Sequence, residues 1–263
     1  MFIFVFGVVA AAFFIIHPGG RAILLPPLRD CRSGRGLTRI LLVVFGICLA
    51  GNLCVLLTIS SADVRSDGDE IGFYLASSAL WLALTVAAFE FVGISVRDDV
   101  ASRRNPAAAA TICGLMVGVA FCLGGSHTGN GPGPEVVLAC AGISTAVLFV
   151  SWTVFSSFSG IVDRVSVERD LGAGIRSAGF LGSGGAILGA SVAGDWTSLE
   201  STLRDFARFC WPILLLAVAA VAVERAIANR RLNQRIANYL SLTYAGIAFS
   251  VSLIYAVRVW SRA

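Results

Sequence analysis

The chain of 263 residues is 57% hydrophobic and only 14% charged, whereas a soluble domain of this length contains about 25% charged residues. Its 20 basic residues are all Arg, with no Lys. The composition therefore excludes an ordinary soluble protein. Because the chain has no Lys, it cannot form a lysine Schiff base with a cofactor, bind phosphate through a P-loop lysine, or use a Ser–Lys catalytic dyad.

The length of the apolar stretches predicts the membrane spans. A bilayer core of about 30 Å needs about 20 apolar residues per helix, and eight stretches approach or reach that length: 1–16, 39–59, 71–95, 106–125, 136–159, 171–194, 209–227 and 237–257. Because 1–16 is short, seven spans is the alternative. We predict an all-α, polytopic transmembrane helix bundle that forms one membrane domain over residues 1–263. Its hairpin units would be 1–60, 71–125, 135–194 and 207–257.

Two motifs predict where helices begin. Asn105 precedes Pro106, which is the order expected of an N-cap followed by proline at the first helical position. Thr197-x-x-Glu200 has the form of a capping box. It predicts a short amphipathic helix that lies in the membrane interface before the seventh span.

Arginines are divided unequally between the two sides of the predicted bundle. The connections 17–39, 96–105, 160–176 and 224–236 contain fifteen of them, and the other side contains five. Because positively charged loops tend to stay in the cytoplasm, we predict that the first side is cytoplasmic and that both termini face outward. The expected location is a bacterial inner membrane.

The stretches that lead into the fourth and sixth predicted spans are alike. A shift of 65 positions superposes six pairs: Asp98 on Asp163, Val100 on Val165, Arg104 on Arg169, Ala108 on Ala173, Gly114 on Gly179 and Gly124 on Gly189. A further shift of 67 places Gly179 on Gly246. Two helices per unit would give every unit the same orientation, so we predict parallel repeats. Chance alignment of small residues, which are common in membrane helices, is the alternative.

A family resemblance lies in two runs: Asp98-Asp99…Arg104-Asn105-Pro106-Ala107-Ala108-Ala109-Ala110…Gly114…Gly118 and Asp163-Arg164…Arg169-Asp170…Ala173…Gly179. Over about residues 75–257 the chain resembles domain of unknown function family 350. That family consists of bacterial inner-membrane proteins built from tandem two-helix units. The resemblance implies an architecture of tandem hairpins and implies no activity.

Glycines are concentrated in the fourth and sixth predicted spans. Six of them are predicted to pack helices together: Gly114, Gly118, Gly179, Gly182, Gly185 and Gly189. Positions 114 and 118, and positions 185 and 189, have GxxxG spacing, which lets helix backbones approach closely in lipid. We predict tight packing within the chain or between subunits. The alternative is that backbone carbonyls line a conduit or a ligand site.

Glu90 and Glu224 are the acidic residues closest to the predicted hydrocarbon region. Ionisable groups at such depth either pair with each other or mark an ion or proton pathway. Arg176 lies about one turn inside the sixth span and is the expected partner, with Arg225 and Arg97 as further candidates. We predict a structural ion pair, and an ion or proton role is the alternative.

The remaining polar features indicate no cofactor and no metal site. The fifth span contains six hydroxyl side chains: Ser144, Thr145, Ser151, Thr153, Ser156 and Ser157. They could line a path or bond to carbonyls of their own helix. The run Asp67-Gly68-Asp69-Glu70 could bind a divalent cation, although a solvated loop is the favoured interpretation. His17 and His127 are predicted on opposite sides, which excludes a bis-histidine haem. Seven scattered cysteines indicate neither disulfides nor zinc.

The predicted cytoplasmic face is rich in Arg. Four residues there are expected to face anionic lipid or an acidic protein partner: Arg103, Arg104, Arg230 and Arg231. The guanidinium fork matches phosphate and carboxylate groups. We predict membrane lipid as a partner and no nucleic acid.

These features favour a non-enzymatic inner-membrane subunit that packs through its glycine-rich helices into a homo-oligomer or a membrane complex. The second hypothesis is an ion or small-solute channel or transporter with a polar route near spans five and six. The third is an intramembrane enzyme. It is disfavoured because the sequence offers no nucleophile–base pair and no metal cluster.

Overall fold

The computed structural model describes residues 35–131, 133–229 and 234–260, and every regular element in these ranges is helical. The helices in chain order are α1 (Arg35–Thr58), α2 (Ala62–Ser66), α3 (Gly68–Ala88), α4 (Pro106–Ser126), α5 (Pro134–Ser159), α6 (Ile161–Ser166), α7 (Leu171–Val192), α8 (Leu199–Cys210), α9 (Pro212–Asn229) and α10 (Gln234–Trp260). A 3₁₀ turn (Phe89–Val92) and a π-helical segment (Val96–Ser102) connect α3 to α4.

Six described segments are long and apolar enough to cross a membrane, which fits a multi-pass integral membrane protein. They are Gly36–Thr58, Gly68–Val92, Pro106–Ser126, Pro134–Ser159, Leu199–Ile227 and Tyr239–Val259. The predicted span 171–194 does form a helix, α7, but α7 is not among the six. Its glycines, its serines and Arg176 lower its mean hydropathy. The predicted span 1–16 lies outside the described residues.

Helices α4 and α7 form the centre of the bundle. In α4, 72% of the apolar stretch is buried, against 17 to 39% in the other five membrane-capable segments, and nineteen of the 22 residues of α7 are buried. Gly114 lies against Ala178 near one end of this pair, and Gly125 lies against Gly189 near the other. Because the sequence separation stays constant along the contact, α4 and α7 run parallel.

Two more helices run parallel to this central pair. Helix α10 packs on α7, with Ser241 beside Arg176 near one end and Ala256 in a cluster with Ala190 near the other. Helix α1 packs on α4, and a parallel bridge joins Ser60 to Gly129 where these two helices end. The helices of one orientation are therefore neighbours in the bundle, as α1, α4, α7 and α10.

Aromatic side chains fill the space between α3, α5 and α7. Trp152 and Phe155 of α5 are buried, and their ring centroids are 5.8 Å apart. Trp152 contacts Phe89 at 5.2 Å, and Phe155 contacts Phe180 at 4.7 Å. Such offset and tilted ring pairs contribute dispersion and quadrupole energy beyond their buried area. They fix α5 against the first half of α7.

The ends of the helices show why the chain turns where it does. Asn105 caps α4 by accepting from the backbone N–H groups of Ala107 and Ala108 at 2.9 and 3.2 Å. Asp170 caps α7 in the same way through Gly172 at 2.9 Å. Such caps satisfy backbone donors that a helix leaves free at its start.

The predicted capping box Thr197-x-x-Glu200 is wrong by one residue. The N-cap of α8 is Ser198, and the reciprocal partner is Ser201, which accepts from the Ser198 backbone N–H. Thr197 instead bonds to Ser201 through the two hydroxyl groups. The neighbouring hydroxyl residues have equal capping chemistry, so the sequence pattern could not choose between them.

Candidate functional site

A buried ion pair joins α7 to α9. The side chains of Arg176 and Glu224 are each only 1% exposed. Nε of Arg176 donates to Oε1 of Glu224, and Nη2 donates to Oε2 at 3.0 Å. This two-bond arrangement matches the planar guanidinium to the planar carboxylate, which gives the strongest class of side-chain hydrogen bond.

Three further side chains surround the pair and complete what we term the ion cluster. Nη1 of Arg164 donates to Oε2 of Glu224 at 2.8 Å, and Nη1 of Arg176 donates to Oγ of Ser241. Oδ2 of Asp170 lies 3.7 Å from Nη2 of Arg176. The cluster thus contains two guanidinium groups and two carboxylates. Because an unpaired buried charge is costly, this balance makes the burial tolerable.

The geometry of the ion cluster indicates a structural role, which is to hold neighbouring helices together. Both carboxylate oxygens of Glu224 accept from guanidinium groups, so binding a proton or a cation there requires breaking those bonds. The members of the cluster come from α6, α7, α9, α10 and the N-cap of α7, so it ties these elements together. The buried hydroxyl group of Tyr244 interacts electrostatically with Glu224 and Arg176. None of the described residues forms a hydrogen bond with it.

The other two ionisable candidates lie elsewhere. Arg225 is exposed and donates to the backbone carbonyl of Phe158 at 3.4 Å, and not to Glu224. Glu90 is exposed in the 3₁₀ turn, and within the described ranges no ion pair includes it. The structure therefore brings together Arg176 and Glu224 and leaves Glu90 and Arg225 outside the cluster.

The connecting segments at the end of the bundle that contains the ion cluster form what we term the arginine end, residues 93–105 and 160–170. Nη1 of Arg103 lies 3.3 Å from Oδ1 of the buried Asp99, and its side chain is 56% exposed. Arg104 is also exposed and has a left-handed φ of 53°. Arg230 and Arg231 lie outside the described residues.

The six packing glycines all make their close contacts inside the chain. A Cβ added to Gly114 or Gly118 would overlap backbone atoms of α7, and one added to Gly185 or Gly189 would overlap backbone atoms of α4. A Cβ on Gly179 would be 2.6 Å from Cβ of Ala245, and one on Gly182 would be 3.4 Å from the ring of Phe249. The close packing of α4 on α7 and of α7 on α10 therefore requires glycine, which has no side chain, at these positions.

The hydroxyl side chains of α5 do not form one continuous stripe. Ser144, Thr145 and Ser151 are buried, whereas Thr153, Ser156 and Ser157 are not. Four of the six donate to carbonyls of their own helix: Ser144, Thr153, Ser156 and Ser157. In the acidic run, Asp67 caps α3 by accepting from the backbone N–H of Asp69 at 2.8 Å. The described part of the chain contains no cluster of three or more His, Cys, Asp or Glu side chains that could hold a metal ion.

Two sets of contacts were not predicted from the sequence. Arg164 and Ser241 are separated from their cluster partners by 60 and 65 positions, and the 65-residue shift is a signal that could have linked Ser241 to Arg176. The second set is that of His127, whose Nε2 lies 2.9 Å from Oγ of Ser78. A single histidine gives no spacing pattern, so only the fold reveals this pair. His17 lies outside the described residues.

Taken together, the helices and the buried ion cluster define an integral membrane protein with a glycine-packed centre. Comparisons with protein-family profiles, with curated proteins and with solved structures gave no match to the chain. Its function must therefore be argued from its own residues.

Proposed function

We propose that this chain is a non-enzymatic subunit of a bacterial inner membrane, built from tandem parallel hairpins, and that it associates with a second copy of itself through α10. The observation that carries this proposal is a series of glycine contacts between neighbouring parallel helices. The series ends on Gly246, which faces no other part of the described chain.

The tandem hairpins are supported by features that recur 65 positions apart. Arg104 and Arg169 both have a left-handed φ, of 53° and 57°, although neither is glycine. The residue after each of them is the N-cap of a central helix. Non-glycine residues seldom adopt this conformation, so the recurrence argues for duplication of a two-helix unit. It also supports the resemblance to domain of unknown function family 350.

The association through α10 is supported by how the parallel helices meet. Gly114 of α4 packs on Ala178, the residue just before Gly179, and Gly179 packs on Ala245, the residue just before Gly246. Gly246 is next in this series, and a Cβ added to it would meet no atom of another described helix within 4 Å. The apolar side chains beside it on α10 are exposed, among them Ile247, with 60% of its surface accessible. A further parallel helix would complete the series, and a second copy supplies one in the same membrane orientation.

The arginine end is the proposed cytoplasmic side. The described loops there expose Arg97, Arg103, Arg104 and Arg169. Loops that carry such charges are retained in the cytoplasm, where exposed guanidinium groups can bind anionic lipid headgroups or an acidic protein. In this arrangement the ion cluster stabilises the bundle just inside the cytoplasmic surface.

Native mass spectrometry of the full chain in mild detergent tests the association. We expect a defined oligomer of the parent protein and loss of that oligomer in Gly246→Leu, because the new side chain would hold the neighbouring helix away. Gly51→Leu is the matched control, since a Cβ added to Gly51 of α1 would likewise meet no atom from elsewhere in the described chain within 4 Å. A monomeric parent, or equal oligomerisation of both variants, would refute the proposal.

A channel or transporter is the second candidate, and one observation favours it. Ser177 and Ser183 of α7 are fully buried, and their hydroxyl groups have no partner among the described residues. Buried hydroxyls of this kind could contact a passing ion or water molecule. The test is ion flux through liposomes that contain the protein. If Ser177→Ala and Ser183→Ala reduce the ion flux and leave the oligomeric state unchanged, a channel or transporter is favoured over a non-enzymatic subunit.

A further inference from the structure

Helix α10 exposes a row of small side chains on the surface of the bundle. Thr243, Gly246 and Ser250 are exposed, and their spacing of three and four residues places them on one side of the helix. Helix α9 instead exposes large apolar side chains, among them Leu214 and Val218, which are 66% and 69% exposed. Small residues gain little from contact with lipid, whereas they let a second helix approach closely. The row on α10 is therefore suited to a helix rather than to lipid.

A ridge of branched side chains lies directly beside this row. Ile247 and Val251 are each 60% exposed and are four residues apart, which is the spacing that forms a ridge on a helix surface. Gly246 and Ser250 have the same spacing and form a neighbouring groove. A surface with a ridge and a groove side by side is complementary to itself, because the ridge of one helix can enter the groove of an identical one.

The glycine contacts within the chain restrict which helix of a second copy can meet this face. Those contacts join parallel helices, and the described part of a second copy contains four such helices: α1, α4, α7 and α10. Helices α4 and α7 are enclosed by their own chain, as their high burial shows. A contact with either would require the second bundle to open, so α1 and α10 remain.

Helix α1 does not offer the position that such a contact uses. Ala178 receives Gly114, and Ala245 receives Gly179. Two shifts of 65 positions carry Ala178 back to Cys48 of α1. Cys48 is buried inside its own chain, with only 6% of its surface exposed, so it cannot receive a glycine from another copy. The remaining partner is α10 itself.

We infer that two copies associate α10 against α10 across a two-fold axis along the membrane normal, and that association stops at a dimer. Such an axis keeps the two α10 helices parallel and brings the same surface of each copy into contact, as an isologous interface requires. Gly246 and Ser250 of both copies lie close to the axis, and Ile247 and Val251 pack at their sides. The two-fold contact presupposes the proposed association through α10, and it specifies the partner helix and the number of copies.

Disulfide cross-linking of Ser250→Cys in proteoliposomes tests the two-fold contact. Residues beside a two-fold axis lie next to their own copies, and a disulfide needs two Cα atoms within about 7 Å. With a membrane-permeant oxidant we expect a covalent dimer, in which peptide mass spectrometry finds position 250 joined to position 250, and no larger covalent species. Val218→Cys is the matched control and should form no such link, because Val218 is exposed on α9, outside the proposed contact.

The native Cys54 reveals a head-to-tail contact between α10 of one copy and α1 of the next. Cys54 is exposed on α1, and two shifts of 65 and one of 67 carry it to position 251, so it would lie at the depth of position 250. In a head-to-tail row the cross-link of Ser250→Cys would form a ladder of larger species and would disappear when Cys54→Ser is added. In the two-fold dimer the added Cys54→Ser should leave the covalent dimer unchanged.

The number of copies separates the failure of the two-fold contact from the failure of the proposed association. A monomeric parent in native mass spectrometry would refute the association itself. A dimer in which position 250 does not link to itself, a cross-link that requires Cys54, or an oligomer larger than two would overturn the two-fold contact and leave the association standing.

Discussion

Glu224 and Arg176 show how single residues can decide whether this bundle is stable. Each is buried, and each is tolerated only because the other is present. Burying an isolated charge costs several kcal/mol, whereas a pair with good hydrogen bonds roughly compensates that cost. Substituting either residue therefore leaves the other as a buried charge without this partner, and the resulting loss of stability reveals the structural role of the pair.

We expect Glu224→Gln to lower the free energy of unfolding by about 3 kcal/mol, because two guanidinium groups, those of Arg164 and Arg176, would then share a buried site with only the carboxylate of Asp170, which lies 3.7 Å from Arg176. Thermal or denaturant unfolding in detergent micelles measures this. Glu90→Gln is the control and should change stability by less than about 0.5 kcal/mol, since Glu90 is exposed. Equal effects of the two substitutions would contradict a structural role for the ion cluster.

His127 leads to a prediction about pH. Its pKa is about 4 in the folded chain, against an ordinary value of 6.5, because of burial. Between these values the unfolded chain binds more protons than the folded chain. The free energy of unfolding should therefore fall as the pH drops from 6.5 to 4, by up to about 3 kcal/mol from this residue.

Unfolding measured across this pH window in the parent and in His127→Gln isolates that contribution, because the carboxylates titrate in both proteins. The variant should show a smaller loss of stability on acidification. Parallel pH profiles of the two proteins would show that His127 is not buried as a neutral ring.

At the scale of elements, the sequence allowed the helices to be predicted better than their contacts. Apolar length and the Asn105-Pro106 motif placed α4 within one residue of its observed range, 106–126. The direction in which a glycine faces could not be predicted, because α7 contains glycine on several sides and a helical face is chosen by its neighbours. The same limit applies to Glu224, whose partners Arg164 and Arg176 are distant in sequence.

The packing of α4 on α7 leads to a prediction about Gly185. A methyl group there would overlap the backbone of Gly118, so the two helices must move apart. We expect Gly185→Ala to destabilise the protein by about 3 kcal/mol, the upper end of the usual cost of overpacking. Gly51→Ala adds the same methyl group at a position where no other described part of the chain comes within 4 Å of it, and it should be neutral or slightly stabilising. Unfolding in micelles measures both, and a neutral Gly185→Ala would contradict the close approach.

At the scale of the whole molecule, the distribution of arginines predicts the orientation. The prediction used only the sequence, and the fold adds that the loops 93–105 and 160–170 lie at the same end of the bundle. Sidedness itself is not a property of a bundle in isolation, because it depends on how the chain is inserted. The apolar helices make the chain able to cross a membrane, and the excess of Arg at one end predicts the direction of insertion.

Reporter insertions test the direction. A periplasmic reporter enzyme inserted after Ser66, between α2 and α3, should be active, whereas the same reporter inserted after Glu168, before α7, should be inactive. Substituting Arg103 and Arg104 by Gln should weaken this difference because fewer positive charges would hold the loop in the cytoplasm. The opposite pattern of activities would invert the proposed orientation.

The cap of α4 has a consequence for how the protein is made. Asn105 begins α4, yet its side-chain amide donates to the carbonyl of Val165, 60 residues later, at 2.6 Å. At the other end of α4, Asn130 donates to Asp195, 65 residues later, at 2.7 and 3.0 Å. During synthesis, the side-chain amide of Asn105 and the donors of Asn130 lack these partners until the next hairpin leaves the ribosome. The hairpin that contains α4 therefore completes its fold only after the hairpin that contains α7 has entered the membrane, and release from the insertion machinery should be delayed until then.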